Sequence, residues 1–431
     1  MKQQLPTGWR RARLGFLAET QVPQRDKPDP LTGPIPWVRI EDFNGRDIRA
    51  SKSGQGVTPE QVRVMNLRIF EPGTVMCSCS CSMGATAIVR EPLVSNQTFI
   101  GLKPGKELES RFLFYLMGSM RDELQANATG AIQQYLSRDD FRSLRIPVPP
   151  PEEQLRIADF LDAETARIDQ GIETAAKGRQ LLDERRWATV HALSTGADTR
   201  EARREVRLGW VDQIPDSWKV VPLKFVASLG SGHTPSRSKP EYWENCTIPW
   251  ISLFDVGRMR NVRQTSLLTT QQQISALGME NSSACLHPAG TVALSRTASV
   301  GFSTIMGVDM AVSQHFVTWT CGKDLLPQYL LMLLRSMRQY FESVQVGTTN
   351  VTVFMPDLYA IKIPLPPVEV QHRVVRRIQD TISKIDALAE RFDRQLSLLR
   401  ERRQALITAA VTGQFDVTTA SGRNVTEGVS A

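Results

Sequence analysis

Ile146-Pro-Val-Pro-Pro-Pro-Glu-Glu-Gln154 is written a second time as Ile363-Pro-Leu-Pro-Pro-Val-Glu-Val-Gln371, 217 residues further on. The same offset carries Gly73-Thr74 onto Gly290-Thr291, Asp140 onto Asp357 and Thr195-Gly196 onto Thr412-Gly413. Toward the N-terminus it drifts: Ile35-Pro-Trp37 returns as Ile248-Pro-Trp250, 213 residues later, so loops there differ in length. A unit of roughly 200 residues is far longer than a solenoid repeat and marks duplication of a whole folding module. A duplicated binding module reads two targets, or one target in two parts.

Ahead of the quoted segment, short β-rich runs read as strands: Trp37-Val-Arg-Ile40, Thr74-Val-Met76 and Thr86-Ala-Ile-Val-Arg90. Their counterparts are Trp250-Ile-Ser-Leu253, Thr291-Val-Ala-Leu294 and Gly301-Phe-Ser-Thr-Ile305. Glu71-Pro-Gly-Thr74 and Pro288-Ala-Gly-Thr291 are turns feeding those strands, because Pro fixes φ and Gly permits positive φ. Apolar runs at residues 111–117 and 328–334 read as helices, which makes each lobe α+β. Trp9 and Trp218, and Trp37 and Trp250, recur at matched positions of otherwise different lobes, which favours core packing over base stacking.

Behind the segment, each copy continues into a long helix. Acidic residues in the first turn, Glu152 and Glu153 in one and Glu369 in the other, complement the positive helix N-terminus, and Gly196 and Gly413 supply the left-handed stop. About 44 residues at 1.5 Å each give a rod of roughly 65 Å. In the second rod Val374, Ile378, Thr381, Ile385, Leu388, Phe392, Gln395, Leu399, Arg402 and Leu406 alternate steps of four and three, the spacing of a coiled-coil seam. The first rod keeps Ile157, Leu161, Ile168 and Leu182 but sets Gly171, Ala175 and Gly178 where the second has Leu388, Phe392 and Gln395. Small residues facing bulky ones favour an antiparallel pair within the chain; pairing across chains is the alternative. The expected fold class is α+β, two pseudo-twofold-related α+β lobes separated by two long helices that form an antiparallel coiled coil. Its divisions are lobe 1–150, helix 151–196, connector and lobe 197–367, helix 368–413, and a polar tail 414–431 that reads as disordered.

At 431 residues, 41% hydrophobic and 23% charged, the chain has globular composition, which excludes a disordered protein. Lys and Arg number 52 against 45 acids, a net +7, and the surplus sits on the lobes: 20 against 15 in residues 1–150 and 16 against 13 in 198–367. The first rod has 6 against 9, so positive charge lies where a polyanion would be gripped. The opening residues lack the apolar stretch of a signal peptide, and no run approaches the roughly 18 apolar residues of a membrane span, so a cytoplasmic protein with no membrane partner is expected. Cys77-Ser-Cys-Ser-Cys81 puts three thiols on one strand face, a core feature with no zinc spacing nearby.

A lobe ending in Ile-Pro-(Val/Leu)-Pro-Pro, a following Glu and Gln, and a long helix closing in Thr-Gly, all of it twice, resembles the specificity subunit of type I restriction-modification systems. The resemblance covers about residues 1–415. It implies that the lobes are target-recognition domains, each reading one half of a bipartite double-stranded DNA site, and that the helices are a ruler between them. It also implies two modification (methyltransferase) subunits as partners, and restriction (endonuclease/translocase) subunits where present. S-adenosylmethionine, ATP and Mg would then belong to those partners, with no cofactor or metal in this chain.

Sequence readout uses Arg for guanine, Asn or Gln for adenine and small hydroxyls for either. The loop Gly230-Ser-Gly-His-Thr-Pro-Ser-Arg237 offers Ser231, His233, Thr234 and Arg237. Gln133 and Gln134 precede the proline segment in one copy, Thr349 and Asn350 in the other. Arg90, Gln97, Arg296, Gln314 and His315 stand near strand ends.

The chain shows no catalytic constellation. It has no Asn/Asp-Pro-Pro-Tyr loop of amino-methylation, no phosphate-binding Gly-x-x-x-x-Gly-Lys-(Ser/Thr), and no His-Glu-x-x-His among its histidines. Two readings compete with a non-catalytic DNA reader. One is a DNA-modifying enzyme with a divergent site in one lobe; the other is a coiled-coil scaffold that binds no DNA.

Overall fold

The computed structural model describes residues 5–24, 26–43, 45–80, 83–128, 135–260, 263–347 and 351–417. The chain divides into two compact units: residues 1–176 with 394–431, and residues 177–393, so the division crosses both long helices.

In the first unit a five-stranded sheet has the order Ala18–Gln21, Phe99–Pro104, Val75–Ser78, Thr86–Val89, Asp47–Ile48. A three-stranded sheet has Ile35–Val38 between Gly56–Val57 and Val94–Ser95. The second unit repeats both: Ala227–Ser231, Phe316–Cys321, Val292–Ser295, Ser303–Met306, Ser266–Leu267, and Ile248–Ile251 between Gln272–Ile274 and Ala311–Val312. Senses repeat too, the last strand of each five-stranded sheet being parallel to its neighbour.

These strands are apolar on both faces, which is why the sequence shows runs and not alternation. Val75, Cys77, Ile88, Ile100 and Leu102 pack with the helix Ser110–Ser119, while Met76, Ala87, Val89 and Phe99 fill a second layer. That helix buries Phe112, Leu113, Tyr115, Leu116 and Met117, each worth about 1.5–3 kcal/mol of burial. Trp37, Trp218 and Trp250 are buried, and Trp9 packs against the core. Cys77 and Cys79 lie in this core, where burial pushes both thiols up, Cys79 to about 11.

Several elements differ from the sequence expectation. The run expected at residues 37–40 is a strand at Ile35–Val38, and its twin at 250–253 is Ile248–Ile251. Each ends early because a carboxylate closes a 3-10 turn on the next backbone amide, Arg39 N to Asp42 Oδ2 at 2.7 Å and Ser252 N to Asp255 Oδ2 at 3.0 Å. The connector contains a hairpin, Arg203–Glu205 against Gln213–Pro215, hidden from pattern reading because its first strand is exposed throughout. The proline segment is more than a stop: Arg145–Val148 pairs antiparallel with Arg10–Arg13, and Lys362–Leu365 with Lys219–Pro222. Two-stranded ribbons tolerate Pro147 and Pro364 because an outward amide there needs no partner.

Gln154 and Gln371, both fully buried, pin each ribbon to its helix. The Gln154 amide donates to the carbonyls of Glu107 and Pro149 and accepts from Glu109 N, all at 2.9 Å. Gln371 repeats this with Asp324, Pro366 and Leu326 N, again at 2.9 Å.

The long helices are Pro151–Ser194 and Val368–Thr412. Gly196 (φ +69°) and Gly413 (φ +75°) follow them, and a Cβ there would meet Pro215 Cγ at 2.6 Å and Pro6 Cγ at 2.5 Å. The helices run antiparallel. In the first unit Arg403 Nε bonds Asp169 at 2.8 Å and Gly171 faces Leu399; in the second, Gly178 faces Phe392, Arg179 Nε bonds Asp393 at 3.1 Å and Arg186 bonds Asp386. The seam needs correction at alternate positions. Val375, Ile382, Ala389 and Leu396 are buried where Val374, Thr381, Leu388 and Gln395 were expected, while Ile378, Ile385 and Leu406 hold. Two 3.5-residue registers share every second position, and here Ala389 permits close approach and leaves Leu388 45% exposed.

Among the described residues no helix is long and apolar enough to cross a membrane. Gln133, Gln134, Thr349, Asn350, Cys81 and the tail from residue 418 lie outside the described residues.

Candidate nucleic-acid interface

Three segments meet at the same end of each five-stranded sheet. In the second lobe they are residues 296–297 after the strand Val292–Ser295, residues 314–315 before Phe316–Cys321, and residues 352–353. The Arg296 guanidinium ties them, donating to Gln314 O and Val353 O at 3.2 Å each. His315 Nδ1 lies 3.0 Å from Thr297 Oγ1. Burial, with the Arg296 charge added, holds this imidazole below its ordinary value, so it is neutral at pH 7.

The loop after Ala227–Ser231 leans on the same platform. Ser231 Oγ donates to Phe316 O at 3.2 Å, and Thr234 Oγ1 donates to Gln314 Oε1, fixing the exposed amide. Gly232 makes this approach possible, since a Cβ there would sit 1.8 Å from Val312 O. The His233 side chain is exposed while its carbonyl accepts from Trp250 Nε1 at 3.2 Å. Arg237 stacks 3.6 Å from the Trp243 ring centroid and donates to Gln272 Oε1 at 3.1 Å. Ser231, Thr234, Arg296, Gln314 and His315 are therefore brought together; His233 and Arg237 lie farther along the loop.

The first lobe repeats the platform with other chemistry. Cys79 Sγ reaches Gln97 O at 3.6 Å, the contact that Arg296 makes with Gln314 O. The bridge between Ser80 and Tyr135 matches that between Thr297 and Thr352. Gln97 is exposed, and Tyr135 is 41% exposed. Sequence reasoning missed Tyr135 and Thr297, although the 217-residue offset would have paired 80 with 297 and 135 with 352.

Arg90 is not part of this platform. It lies past the opposite end of Thr86–Val89 and donates to Asp47 Oδ1 at 3.0 Å. Asp47 also holds Arg46, which pairs with Asp162 of the first long helix, where Arg111 and Tyr115 bond too. Burial works to raise both carboxyls, but these hydrogen bonds outweigh it and hold Asp47 and Asp162 below the usual range. The network fastens lobe to helix.

The family of type I restriction modification DNA specificity domains matches residues 7–177 and again 215–395. A type I restriction enzyme MjaIX specificity subunit from Methanocaldococcus jannaschii is 24% identical over 413 residues, covering 94% of this chain and 92% of the relative. The EcoBI specificity subunit of Escherichia coli is 22% identical over 393 residues, covering 88% and 80%. Among solved structures, a chain from a study of complex assembly and conformational transition in a type I system superposes with TM-score 0.68 at 19% identity, covering 96% of this chain and 100% of that one. The HsdS subunit from Thermoanaerobacter tengcongensis gives 0.56 at 19% identity, covering 96% and 99%. The duplicated lobes, the paired helices and these matches agree: the chain belongs to the type I restriction-modification DNA specificity domain family, and carries that domain twice.

Proposed function

We infer that this chain is the non-catalytic DNA-reading subunit of a type I restriction-modification complex, each lobe recognising half of a bipartite site and directing partner methyltransferase and restriction subunits to it. One observation carries the reading: both lobes build the same three-segment platform, keep a glutamine at one position of it, Gln97 or Gln314, and change the side chains at the other two, Cys79 and Tyr135 in one, Arg296 and Thr352 in the other. A shared frame with different polar tips suits two half-sites of different sequence. Gln97, Gln133, Gln134 and Tyr135 are the proposed readers of the first; Ser231, His233, Thr234, Arg237, Arg296, Gln314, His315, Thr349 and Asn350 of the second. The paired helices act as the ruler that sets the spacer, tied to helical repeat because both lobes must find their edges on one side of the duplex.

Two copies of a modification subunit are the proposed partners, with S-adenosylmethionine, ATP and Mg on the partner subunits, in the cytoplasm. Phe16 (83% exposed) and Phe225 (74% exposed) support two equivalent docking points: each follows the first strand of its ribbon, at the end where Arg145 or Lys362 begins the second strand. Surfaces that read different letters diverge, whereas surfaces that meet the same partner stay alike.

Exchange of residues 1–150 for another first lobe tests the function. Methylation mapped after co-expression with the modification subunits should show one half-site changed, and the other half and the spacer kept. A change in both halves, or methylation by the purified chain alone, would overturn the reading.

A further inference from the structure

A cavity of about 630 Å³ opens between the second lobe and the first long helix near residues 183–187. Its wall carries Arg186, Arg260, Arg335 and Arg338 with Asp183, which Arg179 and Arg186 share at 2.6 Å each; Asp386 also pairs with Arg186, and Glu342 lies 3.1 Å from Arg338. Arg335 is 4% exposed and donates to the carbonyls of Gln264 and Ser303; burial lowers it to about 10. Arg260 and Arg338 each lie 5.3 Å from the Phe302 ring centroid, so two like charges share one ring. Four guanidiniums along one cleft outnumber the carboxylates Asp183, Asp386 and Glu342 that pair with them, and suit an anion with several acceptor oxygens.

The reading platform runs into this cavity. Thr297 contacts His315, Ala298 N donates to Val351 O at 2.8 Å, and Ala298 and Ser299 line the wall. We propose that the cavity is a phosphate cleft that takes the DNA backbone beside the half-site read by the second lobe, an inference that rests on the function proposed above. The cleft is a property of one lobe, because the position of Arg335 is Gly118 in the first copy, 217 residues earlier. It strengthens binding without choosing letters.

The test uses the complete complex with its modification subunits and an Arg260→Gln/Arg338→Gln variant; both side chains are exposed, so folding should survive. Over about 50–200 mM salt, the slope of log K against log salt should become shallower by about 1–2, and ethylated phosphates should lose their interference beside the second half-site only. Wild-type slope and interference in the variant would overturn the cleft while leaving split-site reading intact. A wild-type complex without split-site preference would instead remove the functional reading beneath it. Free anions share the chemistry, so Trp187 fluorescence is titrated with inorganic phosphate: quenching together with an unchanged DNA slope would assign the cleft to a small anion and overturn the backbone assignment.

Discussion

Asp169 and Asp386 stand at equivalent positions, and each receives an arginine from the opposite long helix, Arg403 in the first unit and Arg186 in the second. The two bridges sit in unlike surroundings. The Arg403–Asp169 side chains are 34% and 51% exposed, the Arg186–Asp386 side chains 14% and 6%. The difference comes from the lobes. Arg46 of the first lobe takes Asp162, one heptad before Asp169, so lobe attachment and helix pairing use separate acids. Its counterpart Arg263 takes Asp386 itself, with Glu390, so the second unit merges both jobs in one buried node. Duplication preserved the fold and the cations; the choice of acid changed the wiring.

Replacing the acids separates the two designs most strongly. Asp386→Ala takes from Arg186 its buried carboxylate and leaves it only the half-exposed Asp183, and should cost about 3 kcal/mol, the low end for breaking a buried pair. Asp169→Ala removes an exposed pair and should cost less than about 1 kcal/mol. Hydrogen exchange resolved over each unit would report both losses, and equal costs would dissolve the contrast.

The seam supplies a second, smaller contrast. A Cβ on Gly178 would lie 2.7 Å from Phe392 Cζ, while one on Gly171 would lie 3.6 Å from Leu399 Cδ1, an ordinary contact. Gly178→Ala must push an aromatic ring aside and should cost about 1–2 kcal/mol. Gly171→Ala should be neutral or stabilise by up to about 1 kcal/mol, because Ala is the better helix former. Thermal unfolding of both variants checks the signs; destabilisation of similar size would mean that the helices pack equally closely at both points.

Much of this was legible in the sequence because duplication leaves a register. The Ile-Pro segment, the Gly-Thr turns and the Thr-Gly helix ends announce two α+β lobes and two rods. The seam was half legible, since both 3.5-residue registers include Ile378, Ile385 and Phe392, and only packing selects Ala389 over Leu388. Gln314 and Arg296 were within reach as polar residues at strand ends. Arg90 looked the same in sequence, yet Asp47 sits beside it in space, 43 residues away along the chain. Contacts set by folding, and not by local pattern, decided which polar residues stand on the platform.

Acid gives the gentlest way to sharpen the comparison. All five histidines, at 191, 233, 287, 315 and 372, belong to the second unit. Burial lowers His191, His287 and His315 below the ordinary 6.5, opposed for His191 and His287 by backbone hydrogen bonds and reinforced at His315 by Arg296. The unfolded imidazoles take up protons first, so their contribution to stability is full above pH 6.5 and is lost as pH falls toward the lowered folded values. In the first unit the shifted acids are Asp47 and Asp162, held below 3.8, whose contribution is kept until pH falls under that carboxylate value. Between about pH 7 and 5, where histidines titrate and carboxylates do not, exchange corrected for its intrinsic pH dependence should quicken in the second unit ahead of the first. Replacing His287 and His315 with Gln should flatten that response, and a first unit that loosens as early would show that the imidazoles are not its source.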